Sequence, residues 1–183
     1  MFRLIAFTAF SAVLIIISRA SLRKPGSHGF YRFFAWEFIL ILVLLNLGAW
    51  FREPLSARQL VSWFFLLVSL GLVISGVYAL RAYGNPSQKR AGEAGLIGIE
   101  KTTSLVSAGI YKYIRHPLYS SLLFFTWGVF MKKISWAAFA CALAATFFLV
   151  VTAKIDEAEC TRYFGPAYQE HIEKTRMFVP FLI

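Results

Sequence analysis

The chain has 183 residues, 58% of them hydrophobic and 17% aromatic, with a mean hydropathy of +0.64. Soluble domains are about 45–50% apolar; the excess here lies in long blocks, which excludes an ordinary soluble domain and predicts an integral membrane protein. The 19 Lys and Arg against 9 Asp and Glu then read as basic loops that set topology and touch anionic lipid, not as a nucleic-acid surface.

A bilayer crossing takes about 20 apolar residues. Phe2–Ser18 is the first predicted span, closed by Arg19. It reads as a retained helix, because only Arg3 precedes its core and no clear small-residue cleavage site follows. The second span is Phe33–Phe51, with Glu37 near its start and Asn46 inside; the third is Leu60–Leu80. The fourth, residues 117–131, opens on Pro117, and its apolar run, Leu118 to Met131, is only 14 residues long. At ~1.5 Å per residue that run covers about 21 Å. It needs help from Pro117 at the first helical position, from snorkelling Lys132 and Lys133, or from local thinning of the bilayer. The fifth span is Ile134–Ala153. The link between the last two is too short for a separate loop, so they form a tight antiparallel hairpin. The expected fold is a single all-α integral membrane domain, residues 1–183, with five transmembrane helices and polar segments at 82–116 and 154–183.

Positive charge orients this bundle. With the N-terminus outside, the cytoplasmic segments hold fourteen of the nineteen basic residues and the outer ones only Arg3, Arg52, Arg58, Lys132 and Lys133. Cytoplasmic loops carry the excess of Lys and Arg, so the C-terminus is expected in the cytoplasm of a bacterial or archaeal cell. The first polar segment carries turn signals at Gly84-Asn85-Pro86-Ser87 and glycines at 92, 95 and 98. The second continues the fifth helix, with Asp156, Glu157 and Thr161 at helical spacing. It stops at Phe164-Gly165-Pro166 and allows a short helix over Ala167–Lys174. Phe178-Val179-Pro180-Phe181 is an apolar end that folds back on the membrane or on the bundle.

The chemistry-bearing residues gather at the cytoplasmic ends of the hairpin. Arg115 and His116 stand at the mouth of the fourth span, where ionisable groups are costly and by default functional. Pro117 starts the helix, so His116 takes its N-cap, where unpaired backbone donors favour an anion. Arg115 can grip a carboxylate with its guanidinium fork. Asp156 and Glu157 return to the same level on the fifth span, and acids there suit an amine or a sulfonium. Tyr113 and Lys112 alone read as an interfacial belt. Glu159 reads as a solvated helix residue, and Glu37 as an interfacial acid paired with Arg32 or Arg81. The three histidines show no ligand spacing, so no metal site is expected. Cys141 and Cys160 do not read as a disulfide framework. There is no Gly-rich phosphate loop, nucleophile elbow or Rossmann fingerprint.

The run Leu105 to Tyr111, then Arg115-His116-Pro117-Leu118-Tyr119, then Asp156-Glu157 and Phe164-Gly165-Pro166-Ala167-Tyr168 resembles the isoprenylcysteine carboxyl methyltransferase family, whose broader superfamily includes phospholipid N-methyltransferases. The resemblance covers roughly Leu105 to Pro180; residues 1–100 match only as hydrophobic spans. It implies a membrane-embedded methyltransferase that binds S-adenosylmethionine at its cytosolic side and acts on a lipophilic acceptor from the lipid bilayer. By position it implies cofactor contacts at Thr103, Ser104, Leu105, Val106, Tyr111, His116, Pro117, Leu118, Tyr119, Asp156 and Glu157, with Arg115 and Glu157 as catalytic candidates. One departure bears on the acceptor. The eukaryotic enzymes carry an arginine, linked to the substrate carboxylate, four residues before the first acid; this chain has Thr152 there, and Lys154 is the nearest cation. A prenylcysteine-like carboxylate is therefore less well supported than the cofactor. The contrasting reading is a non-catalytic membrane protein, a transporter or an assembly factor, that keeps the fold; five short spans with no inverted repeat argue against a secondary transporter.

Overall fold

The computed structural model describes residues 1–85, 96 and 98–180. Among these, six α-helices follow in chain order: α1 (Phe2–Leu22), α2 (His28–Asn46), α3 (Ala57–Tyr83), α4 (Pro117–Lys132), α5 (Trp136–Phe164) and α6 (Pro166–Lys174). Short 3-10 turns lie at Leu47–Ala49, Gly98–Glu100 and Gly109–Lys112. Among the described residues there is no strand, only an isolated bridge between Ile114 and Arg176. The helices around α1, α2, α3 and α5 are long and apolar enough to cross a membrane; the chain is an integral membrane protein. With 16 residues, α4 reaches about 24 Å at ~1.5 Å per residue, short of a full crossing.

Several helix ends run past the spans expected for them, because polar ends continue the helical hydrogen bonding beyond the apolar runs; α2, by contrast, ends at Asn46, before the expected Phe51. α2 begins at His28, five residues before Phe33, because Ser27 caps it by accepting from the Phe30 N–H at 3.3 Å. α3 runs on to Tyr83, inside the segment expected as loop from residue 82. α5 begins at Trp136 behind its Ser135 cap and runs to Phe164, the stop expected from Phe164-Gly165-Pro166. Gly165 stops it at φ 63°, a conformation that favours glycine, and Pro166 starts α6.

Small residues set the packing. On α5, Ala138, Ala142, Ala145, Leu149 and Ala153 are wholly buried on one stripe against α2, where Ala35, Ile39 and Leu42 face them. Close helix approach over small side chains is the usual membrane solution. α3 and α4 come as near: a Cβ on Gly128 would stand 3.1 Å from the Leu66 side chain, and Ser62 and Ser69 donate to the Gly128 and Ser121 carbonyls at 2.7 Å. α1 packs on α2, where Ser11 Oγ donates to Glu37 at 2.9 Å. Glu37 thus meets Ser11, not Arg32 or Arg81.

Lys132 does not snorkel. It is wholly buried at the α4 end, donating to Gln59 Oε1 at 3.0 Å, with its ammonium 3.3 Å from the Trp63 ring centre. Lys133 is exposed. At the opposite end of the bundle the tail returns to it. Arg115 and His116 donate backbone N–H groups to Arg176 O and Met177 O, and Arg176 donates to Tyr113 O. Phe178 is buried with Ala35, Tyr119, Leu149 and Ala153.

Candidate active site

The starts of α2 and α4 and the last third of α5 meet at one end of the bundle. His116 is the N-cap of α4 and is buried. Its Nδ1 lies 3.5 Å from Asp156 Oδ2 and its Nε2 3.5 Å from Glu157 Oε1. Burial alone would lower the His116 pKa, but the contacts to Asp156 and Glu157 outweigh it and hold the pKa above the usual 6.5. Arg115 Nε donates to Glu157 Oε1 at 2.5 Å. Its Nη1 donates to the carbonyls of Ile172 at 3.1 Å and Thr175 at 2.5 Å. The guanidinium therefore braces the tail against α5.

Beside this set lies a cavity of about 100 Å³, partly open to solvent. Of the residues expected at the site, Leu105, Val106, Tyr111, Arg115, His116, Leu118, Tyr119 and Asp156 line it. Thr103, Ser104, Pro117 and Glu157 do not. Thr103 and Ser104 instead fasten their loop to the α3 end: both backbone N–H groups donate to Gly84 O, and Thr103 Oγ1 donates to Asn85 O at 2.9 Å. Gly84 is required there, since a Cβ would sit 2.5 Å from the Thr102 side chain and from Leu80 O. Pro117 packs against Gly76 of α3. Tyr113 is about half exposed, at 49%.

The cavity also takes residues that sequence reasoning left out: His28, Leu80, Leu96, Glu100, Thr102, Cys160, Phe164, Tyr168 and His171. His28 is buried; its backbone N–H and its Nδ1 both meet Glu159, at 3.1 and 2.5 Å, and Asp156 Oδ1 lies 4.0 Å from Nδ1. Glu159 is thus held against His28, and not solvated. Arg32, also buried, donates through Nη1 to both oxygens of Glu100 at 2.9 and 2.7 Å. A signal for His28 existed: charge orientation puts residues 19–32 at the same membrane face as His116. Nothing in local sequence ties it to Glu159, 131 positions away.

The cavity is electrostatically mixed. Burial pushes the Tyr111 and Tyr168 hydroxyls far above the ordinary tyrosine range, with nearby acids adding to it, so both stay neutral donors at physiological pH. Burial, then the positive charges of Arg115 and His116, lowers the His171 pKa and keeps that ring neutral near pH 7. The set offers a buried carboxylate for a cationic group, imidazole and phenol hydrogen bonds for an anionic or polar one, and apolar walls at Leu80, Leu96, Leu105, Val106 and Leu118.

The model of the phospholipid methyltransferase family matches residues 57–167. That family lies in the same superfamily as the isoprenylcysteine carboxyl methyltransferases. The match begins at the start of α3, earlier than the expected resemblance, and ends at the first turn of α6. No curated protein and no solved structure matches the chain.

Proposed function

The chain belongs to the phospholipid methyltransferase family, and we propose that it is a membrane-embedded, S-adenosylmethionine-dependent methyltransferase acting on a lipophilic acceptor. The observation that carries this reading is the convergence of Leu105, Val106, Tyr111, His116, Tyr119 and Asp156 on one partly open cavity at one end of the bundle. The donor set fits the cofactor. Asp156 supplies a buried carboxylate for a cationic centre, while His116 and the N-terminus of α4 supply donors for the amino-acid carboxylate. When bound, the cofactor would supply an electrophilic methyl group on a sulfonium.

The protein's contribution is positioning and desolvation. Asp156 faces the cavity between His116 and His28; Glu157 ties Arg115 to the tail; Tyr111 and Tyr119 close the wall. Arg115 and Glu157 act by holding the start of α4 and the tail in register. Five spans, with α4 as a short crossing, and a cytoplasmic C-terminus bring this cavity to the compartment that contains the cofactor. The acceptor enters from the bilayer, past the apolar residues of α3 and α4.

The test is transfer of tritium from S-adenosyl-[methyl-³H]methionine to a total membrane lipid extract by the purified full-length protein. Label extracted with lipid, and lost in His116→Ala, supports the proposal. Absence of labelled lipid with folded wild-type protein contradicts it.

A further inference from the structure

His28 has a feature that cofactor binding does not use. Its Nδ1 and its own backbone N–H are both clasped by the Glu159 carboxylate, which fixes the ring and puts a proton on Nδ1. The opposite nitrogen, Nε2, is buried and has no hydrogen-bond partner among the described residues. The ring lines the cavity, whereas Glu159 does not. A buried imidazole nitrogen without a partner is costly, so its persistence points to a partner that arrives with a ligand. A carboxylate on Nδ1 and an open Nε2 is the arrangement of a general base oriented by an acid.

We infer that His28 is the general base of the methyl transfer, with Glu159 as its positioning residue, and that the acceptor therefore carries a proton to lose: an ammonium or a hydroxyl, not a carboxylate. This rests on the methyltransferase reading above. The acceptor's proton passes to Nε2 of His28. The freed lone pair on nitrogen or oxygen forms the bond to the methyl carbon. The carbon–sulfur electron pair leaves on sulfur, which becomes a neutral thioether. The imidazolium so formed faces Glu159 and Asp156. A carboxylate acceptor is already deprotonated at neutral pH and would leave this dyad idle. His171, the other unassigned histidine of the cavity, has no carboxylate partner among the described residues.

The groups around His28 are Glu159 and Asp156 on α5 and Arg32 on its own helix. The carboxylates are ionised and Arg32 is cationic across the neutral range, so a limb in the rate near neutral pH that vanishes with His28 belongs to His28.

The experiment uses full-length protein in detergent micelles and three readouts. ¹⁵N-histidine NMR, assigned by difference against His28→Gln, gives the tautomer. Calorimetry gives S-adenosylmethionine affinity. Tritium transfer to a total membrane lipid extract gives the rate against pH. The expected result, at a pH high enough to deprotonate the ring, is a neutral His28 with its proton on Nδ1, perturbed in Glu159→Gln. In His28→Gln, cofactor affinity stays within about 3-fold, while transfer falls by about 100-fold or more and loses its rising limb. A neutral tautomer protonated on Nε2, an undiminished rate, or a loss of cofactor affinity as large as the loss of rate would each overturn the inference. Wild-type protein that does not bind the cofactor would fail at the underlying reading, and the inference would fall with it.

Discussion

Asp156 and Glu157 are neighbours on α5 and both lie 3.5 Å from the His116 ring, yet they diverge: Asp156 lines the cavity, while Glu157 Oε1 lies 2.5 Å from Arg115 Nε and does not. Consecutive helical positions differ by about 100° in direction, so one acid turns to the cavity and the other to the tail brace.

That division predicts different losses. Asp156→Asn costs about 1.5–3 kcal/mol of cofactor affinity, the value of a lost hydrogen bond to a charged group. Glu157→Gln costs much less affinity but lowers the melting temperature, since Arg115 loses its only described carboxylate. Calorimetry and thermal melts on both variants check this; equal and negligible affinity losses would contradict it.

Arg115 holds the tail through Ile172 O and Thr175 O. Arg115→Ala is expected to release residues 175–180 from the bundle. Limited trypsin digestion checks it: cleavage after Lys174 and Arg176 quickens by several-fold relative to wild type. An unchanged digestion rate would show that the backbone bridge to Ile114 suffices.

His116 makes stability depend on pH. Its pKa is raised on folding, so its contribution is complete below the unfolded value of about 6.5 and is lost as pH rises through the folded value. The melting temperature of wild type minus that of His116→Gln is expected to shrink as pH is raised above about 6.5. A difference that grows with pH would reverse the assignment.

Much of this was legible in the chain. The apolar blocks announce the helices, and the order Arg115-His116-Pro117, then Asp156-Glu157, announces that two distant segments share a site. What was not legible depends on three-dimensional contact. Lys132 looks like a snorkelling lysine because its burial under Trp50 and Trp63 depends on α2 and α3 converging there. Glu159 looks solvated because its partner sits on α2. Helix ends were misplaced because caps at Ser27 and Ser135, not hydropathy, decide where helices begin.

Lys132 gives a prediction at the other end of the bundle. Lys132→Ala removes the donor to Gln59 Oε1 and opens space beneath Trp63, costing about 2–4 kcal/mol. Lys132→Met keeps the volume and costs less. Melting temperatures in detergent rank the two; Met falling as low as Ala would assign the loss to charge, not packing.

The central claim is that the cavity beside His116 and Asp156 holds S-adenosylmethionine. Calorimetric titration of the cofactor into purified wild-type protein and into His116→Ala, with Tyr113→Phe as the exposed control, tests it most directly. The account predicts one-site binding in wild type, near-wild-type affinity in Tyr113→Phe, and no measurable binding in a folded His116→Ala. Unchanged affinity in His116→Ala, or no binding by the wild type, would contradict it.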